Sequence, residues 1–295
     1  MPRIFQMFRP RLALVALALV LSPALSATPG AAEEDSPDYR RMNFDLFEAS
    51  KEGRTGAVKA LLEQGASVKA RNRFGNTALT YAARSGNVET VNVLLEAGSD
   101  LNHQNLNGSS VLFDATKRNK EQVALFLLEQ GADVNPVNLD QMSALTVASY
   151  NGLTKLAKLF LEKGAAADIR DKTGKSPLIY ATGNGHGEIV ILLLDAGVDS
   201  NTAYANDLTS LMWAAAYGHE DIAMLLMERG AVVDTQDNRG RTALMMAAEN
   251  SHAGMVALLV AKGADPAKAD KKGVTAGKLA LDSGDAATVQ ALKSP

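Results

Sequence analysis

The chain has 295 residues, 46% of them apolar but only 5% aromatic, so it can bury a large aliphatic interior and is not disordered as a whole. It has no cysteine, which excludes disulfides, thiolate nucleophiles, cysteine-based zinc sites and iron–sulfur clusters. Its net charge is −3, and removal of the first 27 residues, which hold three arginines and no acid, would take it to −6. Such an acidic chain is poorly suited to a phosphate backbone, so no nucleic-acid partner is expected.

The N-terminal segment is typical of a secretory signal peptide covering residues 1–27. Arginines come first, an unbroken run of Leu, Ala and Val follows at Leu12–Leu21, and Ser22–Pro23 then leads into small residues up to Ala27. A retained membrane anchor or an apolar N-terminal helix is the weaker interpretation, because a spanning helix needs roughly 20 apolar residues. We therefore expect cleavage near Ala27 and export to the periplasm or, alternatively, secretion. Residues 28–41, rich in Pro, Gly and acidic side chains, predict a flexible linker.

A strict 33-residue period organises the rest of the chain. One glycine recurs in every period, and separate Gly/Asn/Ser and leucine series keep the same spacing. Periods of about 20–50 residues indicate a stacked repeat array. We divide the array, residues 42–295, into a partial unit 42–71, full repeats 72–104, 105–137, 138–170, 171–203, 204–236 and 237–269, and a C-terminal cap 270–295. The glycine series is Gly65, Gly98, Gly131, Gly164, Gly197, Gly230 and Gly263.

Each period predicts the same local structure. A hydroxyl residue such as Thr77 can cap a short helix, which a Gly or Asn closes in a left-handed turn. A longer amphipathic stretch, such as Val88–Gly98, predicts a second helix. The segment that follows is rich in Asp, Asn and Gly, as a turn or hairpin requires. The predicted fold is therefore an all-α solenoid of helix-turn-helix units joined by β-hairpin-like loops.

These units resemble ankyrin repeats. Thr77-Ala-Leu-Thr-Tyr-Ala-Ala and Thr209-Ser-Leu-Met-Trp-Ala-Ala are similar to the family's T-P-L-H-x-A-A motif, and Gly218-His219 matches its G-H turn. The family's motif histidine is replaced in every repeat, so its usual network with a hydroxyl is not expected and apolar packing should substitute in several repeats. Gly277 stands where the motif has leucine, as suits a terminal cap that faces water. The resemblance implies a module that binds a protein partner through its hairpin tips and first helices.

Three motifs resemble chemical sites but fit the repeat better. His186, His219 and His252 could suggest a metal ladder, but stacked helices keep such rings roughly 8–10 Å apart and parallel. The glycines of 183–187 are not preceded by the strand that a dinucleotide loop needs, and 273–278 is one residue short of a phosphate loop. We therefore expect neither catalysis nor any cofactor or metal.

The candidate binding residues are carried over from the resemblance by register. Apolar side chains at repeated loop tips indicate a binding surface, since a solvated turn favours polar residues and exposed apolar patches mark interfaces. The alternative is that the tips only pack against one another. Basic residues make the N-terminal half of this surface locally positive, which a merely solvated face would explain; binding of an acidic partner segment is the alternative hypothesis. The set is Arg73, Phe74, Arg84, Leu106, Lys117, Arg118, Leu139, Met142, Tyr150, Leu208, Tyr217 and Arg239.

The expected function is a non-catalytic adaptor or inhibitor that holds a partner protein in the bacterial periplasm. One alternative is a secreted effector that binds a host or competitor protein. Another, suggested only by resemblance to other exported bacterial ankyrin proteins, is a periplasmic accessory of peroxide defence. We expect a monomer, with no membrane association once the signal is cleaved.

Overall fold

The computed structural model describes residues 37–293. The chain divides into two units, Met1–Arg40 and Arg41–Pro295, and of the first unit only residues 37–40 are described, as the start of a helix. The predicted signal peptide and residues 28–36 of the predicted linker lie outside the described residues. Residues 37–41, the rest of the segment predicted as a linker, are helical. Proline tolerates the first turn of a helix and the acidic Asp38 favours its N-terminus, so the local sequence allows this start.

The second unit is built from pairs of helices separated by loops. Between residues 37 and 293 there is no strand, only isolated β-bridges at Gln104–Ser110 and Ala269–Thr275 and a 3-10 turn at Ala205–Asp207. The predicted all-α solenoid is thus confirmed. None of the helices in this range is long and apolar enough to cross a membrane. The first helices are α1 (Pro37–Lys51), α3 (Ala78–Ser85), α5 (Val111–Lys117), α7 (Ala144–Asn151), α9 (Pro177–Gly183), α11 (Ser210–Tyr217), α13 (Ala243–Glu249) and α15 (Ala276–Ser283); the second helices are α2 (Thr55–Glu63), α4 (Val88–Glu96), α6 (Glu121–Glu129), α8 (Thr154–Glu162), α10 (Gly187–Asp195), α12 (Glu220–Glu228), α14 (Ala253–Ala261) and α16 (Ala286–Ala291).

The helix ends follow the repeated sequence signals. The hydroxyl of Thr77 accepts a hydrogen bond from the backbone N–H of Thr80, whose own hydroxyl accepts from the Thr77 N–H, which forms a capping box. Ser143 and Thr209 cap their helices at the same register. Gly86 ends α3 at φ +91°, a left-handed conformation that costs glycine little. The same local instructions therefore start and stop each first helix.

The core is continuous because each repeat buries its apolar face against the next. From α3 to α15 each first helix packs on the following first helix, and the second helices stack in the same way from α2 to α16. The leucine that recurs every 33 residues in the first helices is at most 1% exposed in every repeat from α3 to α13. Burying a leucine side chain stabilises a fold by about 1.5–3 kcal/mol, so this row is a large part of what stabilises the array. Its members are Leu79, Leu112, Leu145, Leu178, Leu211 and Leu244.

The histidines at the turns link neighbouring repeats. Nε2 of His186 donates to the carbonyl oxygen of Tyr150 at 3.1 Å, and His219 and His252 bond in the same register to the Gly183 and Ala216 carbonyls at 3.2 and 3.1 Å. Each ring also lies over the turn glycine of the preceding repeat. The recurring histidines therefore hold successive first-helix ends at a fixed distance.

Candidate protein-binding groove

The hairpin tips are built by a repeated side-chain turn. Oδ1 of Asn72 accepts from the backbone N–H groups of Phe74 and Asn76 at 2.9 and 3.0 Å. Such a turn fixes the loop through its own backbone and leaves the side chains at its tip free to face outward. The same pair of bonds recurs at Asn105, Asn138, Asp171, Asp237 and Asp270.

Neighbouring tips are joined through their backbones while their apolar side chains stay exposed. The N–H of Leu106 donates to the Phe74 carbonyl at 3.0 Å, and the N–H of Leu139 donates to the Asn107 carbonyl at 2.8 Å. The side chains of Phe74, Leu106 and Leu139 are nevertheless 55%, 72% and 56% exposed. Tip-to-tip packing thus orders the row but does not account for its apolar residues.

The tip of repeat 204–236 departs from this pattern. Tyr204 stands where the other tips have Asn or Asp, and its hydroxyl reaches back to Asp168 at 2.8 Å. Asn206 and Asp207 both adopt positive φ, 63° and 61°. Leu208, predicted as a tip residue, is half-buried and packs against the core, as its register is buried or half-buried in the other repeats. It lines a cleft instead of projecting into solvent.

At the N-terminal end, one predicted cation is already paired. Arg84 donates to Asp114 at 2.8 Å and to Asn76 at 3.2 Å, and the Asp114 side chain is 8% exposed. Burial raises the pKa of Asp114, although the Arg84 guanidinium opposes that effect. Lys117 and Arg118 are exposed instead, and no salt bridge within residues 37–293 reaches either of them. They supply the positive charge here.

Four aromatic side chains from three repeats meet in the middle of the array. The rings of Tyr150 and Tyr180 pack edge to face with centroids 5.6 Å apart, and those of Trp213 and Tyr217 stack at 5.8 Å. The ammonium of Lys175 lies 5.5 Å from the Tyr180 centroid and 5.0 Å from the Trp213 centroid. We call Tyr150, Tyr180, Trp213 and Tyr217 the aromatic cluster. With Lys175 they line a cleft of about 210 Å³.

Small residues make room for the aromatic cluster. Gly183 and Ala216 occupy the register that Lys117 and Tyr150 hold in the preceding repeats. A Cβ added to Gly183 would lie 3.3 Å from Cε3 of Trp213, tighter than most contacts of this kind. The glycine is helical and not at positive φ, so the close approach of the indole, and not backbone conformation, is what favours glycine here.

Tyr180 is fixed by a hydrogen bond to its own hairpin. Its hydroxyl donates to Oδ2 of Asp171 at 2.5 Å. Burial and the Asp171 carboxylate raise the pKa of Tyr180 to about 12. Burial alone would raise the pKa of Asp171, but bonds from Tyr180, Thr173 and nearby backbone N–H groups hold it below its usual range. The ring is thus held in one orientation at neutral pH.

At the C-terminal end the charges balance. The buried Asp237 lies 3.5 Å from Arg239 and 3.4 Å from Arg241, and Arg241 also pairs with Glu249 at 2.9 Å. Arg239, predicted as a binding residue, is exposed at its tip but already has an acidic neighbour. This end of the surface is therefore more apolar than basic, with Met212 and Met246 in its cleft.

Four clefts that share walls form one groove between the tips and the first helices. Lys117 lines the first and second clefts, Tyr150 and Tyr180 the second and third, and Trp213 and Tyr217 the third and fourth. We call this surface, from Phe74 to Asn250, the groove. It contains nine of the twelve predicted residues; Arg73, Leu139 and Arg239 lie outside it. Those inside are Phe74, Arg84, Leu106, Lys117, Arg118, Met142, Tyr150, Leu208 and Tyr217.

Sequence reasoning missed Tyr180, Trp213 and Asp114 as groove residues. Tyr180 and Trp213 are 33 residues apart and share the motif position at which the family allows any residue. An aromatic residue at this variable position in two consecutive repeats is the signal that could have identified them. Asp114 shares this register, but its pairing with Arg84 joins two different repeats and leaves no local pattern.

Comparison with known families agrees with this architecture. A family model described as ankyrin repeats, three copies, matches residues 46–138, 114–204, 145–237 and 211–294. A comparison with curated proteins found no match. The matched segments together cover nearly all of the helical array. The chain therefore belongs to the ankyrin-repeat family, and its repeats indicate a protein–protein interaction module.

Proposed function

We propose that this protein is a non-catalytic adaptor or inhibitor that, after export to the periplasm, holds a partner protein along the groove. The observation that carries the proposal is the aromatic cluster, where Tyr150 and Tyr217 remain 52% and 54% exposed. Exposed aromatic surface is unfavourable in water by about 25 cal/mol per Å², and contiguous apolar patches mark interaction sites. Tyrosine and tryptophan are also the residues most enriched at binding hot spots.

The roles of the ionisable side chains support binding over catalysis. Asp114, Asp171 and Asp237 have shifted pKa values; Asp114 pairs with the preceding repeat through Arg84, and the other two bond within their own repeats. The histidines bond to backbone carbonyls. These groups are used to build the array, and the groove itself is lined mainly by apolar and cationic side chains.

A matched pair of substitutions tests where the partner binds. Tyr217 lies in the groove, whereas Met224, in the same repeat, is 41% exposed on α12 and lines none of the four clefts. Full chains carrying Y217D or M224D are used to capture partners from the periplasmic extract of the source cells. We expect Y217D to lose the partner and M224D to keep it, with both variants unfolding at the same temperature as the unchanged chain. Retention of the partner by Y217D would overturn the proposal.

Export is tested separately by cell fractionation. The basic start and apolar run of residues 1–27 predict a shortened chain in the periplasmic extract. The N-terminus of the recovered chain, read by mass spectrometry, should lie near Thr28. Recovery of the chain mainly in spent medium would favour a secreted effector, and recovery of an unshortened chain in the cytoplasm would contradict export.

A further inference from the structure

We infer that the groove accepts an extended segment of its partner whose acidic side chains lie on Lys117, Arg118 and Lys175 and whose apolar side chains enter the aromatic cluster. The inference rests on the proposed function, because it specifies which chemistry the groove selects. Charge, the position of one lysine and the spacing of the clefts support it independently.

The charge of the groove is opposite to that of the whole chain. Within residues 37–293 no salt bridge reaches Lys117, Arg118 or Lys175. The acids that line the groove or adjoin it are already engaged: Asp114 by Arg84 and Asp171 by Tyr180. Exposed carboxylates remain at two tips, Asp140 and Asp207, outside all four clefts. A partner segment with carboxylates thus finds cations without a salt-bridge partner in the groove of an otherwise acidic protein.

Lys175 determines which charge a ligand group can carry at the aromatic cluster. Clusters of tyrosine and tryptophan can bind cations through their ring faces. Here the ring faces of Tyr180 and Trp213 are already approached by the ammonium of Lys175, at 5.5 and 5.0 Å from their centroids. A second cation would be repelled by Lys175. A carboxylate can reach that ammonium while a neighbouring apolar side chain covers the exposed rings of Tyr150 and Tyr217.

The spacing of the clefts fits an extended chain. Packed helices lie about 8–10 Å apart, and an extended chain rises about 3.3 Å per residue, so roughly every third residue meets the next repeat. Lys117 lies on α5, and Tyr180 lies two repeats later on α9. The separation predicts an acidic residue and an apolar residue about five or six positions apart in the bound segment.

Selection from a random-peptide display library on the immobilised full chain tests the inference. Peptides of about twelve residues are long enough to span roughly four repeats. We expect the selected peptides to be enriched in Asp and Glu, with an apolar residue about five or six positions from an acidic one. Trp213 is the single tryptophan of the chain and lines two clefts, so a selected peptide without tryptophan should change its fluorescence.

A charge-matched pair of variants separates the groove from general electrostatics. K117E/R118E reverses two groove cations, and K155E/K158E reverses two exposed cations on α8 that line none of the four clefts. We expect the first variant to weaken binding of the selected peptides by about tenfold or more and to reduce its salt dependence. The second should stay within about twofold of the unchanged chain.

The outcomes distinguish this inference from the proposed function. Selected peptides that lack acidic residues or are enriched in Lys and Arg, or no selected peptides at all, would overturn the inference. If Y217D still abolishes capture of the natural partner in that case, the groove remains the binding surface and only the stated chemistry is wrong. If Y217D leaves capture intact, the proposed function fails as well.

Discussion

Replacing Gly152 with alanine tests whether the histidines hold neighbouring repeats together. Gly152 lies at φ +72°, where an L-residue costs about 1–2 kcal/mol, and an added methyl group would lie 2.6 Å from Cε1 of His186. The ring must then leave the Tyr150 carbonyl, with the loss of a hydrogen bond that contributes about 0.5–1.5 kcal/mol. We expect G152A to lower the free energy of unfolding by about 2–3 kcal/mol, measured by urea unfolding followed by far-ultraviolet circular dichroism.

Gly164 provides a control within the same repeat. It lies at φ +82°, and no atom lies within 4 Å of an added Cβ, so G164A should lose only the conformational part, about 1–2 kcal/mol. In a chain that also carries H186A, the cost of G152A should fall to that of G164A, because the ring is gone. Equal costs for G152A and G164A, or an extra cost that survives H186A, would refute the proposed contact.

Three other substitutions test polar contacts of the array. R84M leaves the buried Asp114 without its partner and should lower the free energy of unfolding by about 3–5 kcal/mol in urea; a loss below about 1 kcal/mol would mean the pair behaves as an exposed one. Burial acts to raise the pKa of Asp237, but backbone N–H groups and Arg241 hold it below 3.8. The stabilisation that the Asp237 carboxylate provides is therefore present above that pH and is lost on acidification. As the pH is lowered from about 5 to 2, the melting temperature should therefore fall less steeply for D237N than for the unchanged chain. D207G should raise the free energy of unfolding by up to about 1 kcal/mol, since it relieves a positive φ at a position that is glycine in most repeats; a loss would show that the Asp207 side chain stabilises the tip.

The fold was predictable because its instructions are local and repeated. The hydroxyl of Thr77 caps α3, Gly86 ends it at positive φ, and Leu79 is fully buried, all within ten residues of sequence. Residues 37–41, predicted as part of a linker, are instead the first residues of α1. The composition of residues 28–41 favoured a linker, although Pro37 and Asp38 are also acceptable in the first turn of a helix.

The candidate site was only partly predictable because several of its contacts join different repeats. The register correctly placed Phe74, Leu106 and Leu139 at exposed tips. It could not indicate that Arg84 is taken up by Asp114, 30 residues later, since the two occupy different registers. Leu208 was expected at an exposed tip, but its register is buried at Asn76 and half-buried at Met142 as well.

The positions that depart from the 33-residue pattern are more informative about function than the positions that follow it. Every repeat needs its cap, its turn and its buried leucine, and these positions are therefore uninformative about a partner. Glycine orders its backbone at a greater cost in entropy than alanine does, and Gly183, the last residue of α9, leaves room for Trp213. Tyr204 gives up the side-chain turn that builds the other tips, and Leu208 of the same tip lines the cleft beside Tyr217. These costs fall in adjacent repeats and line adjoining clefts, as expected if binding, and not stability, determined those residues.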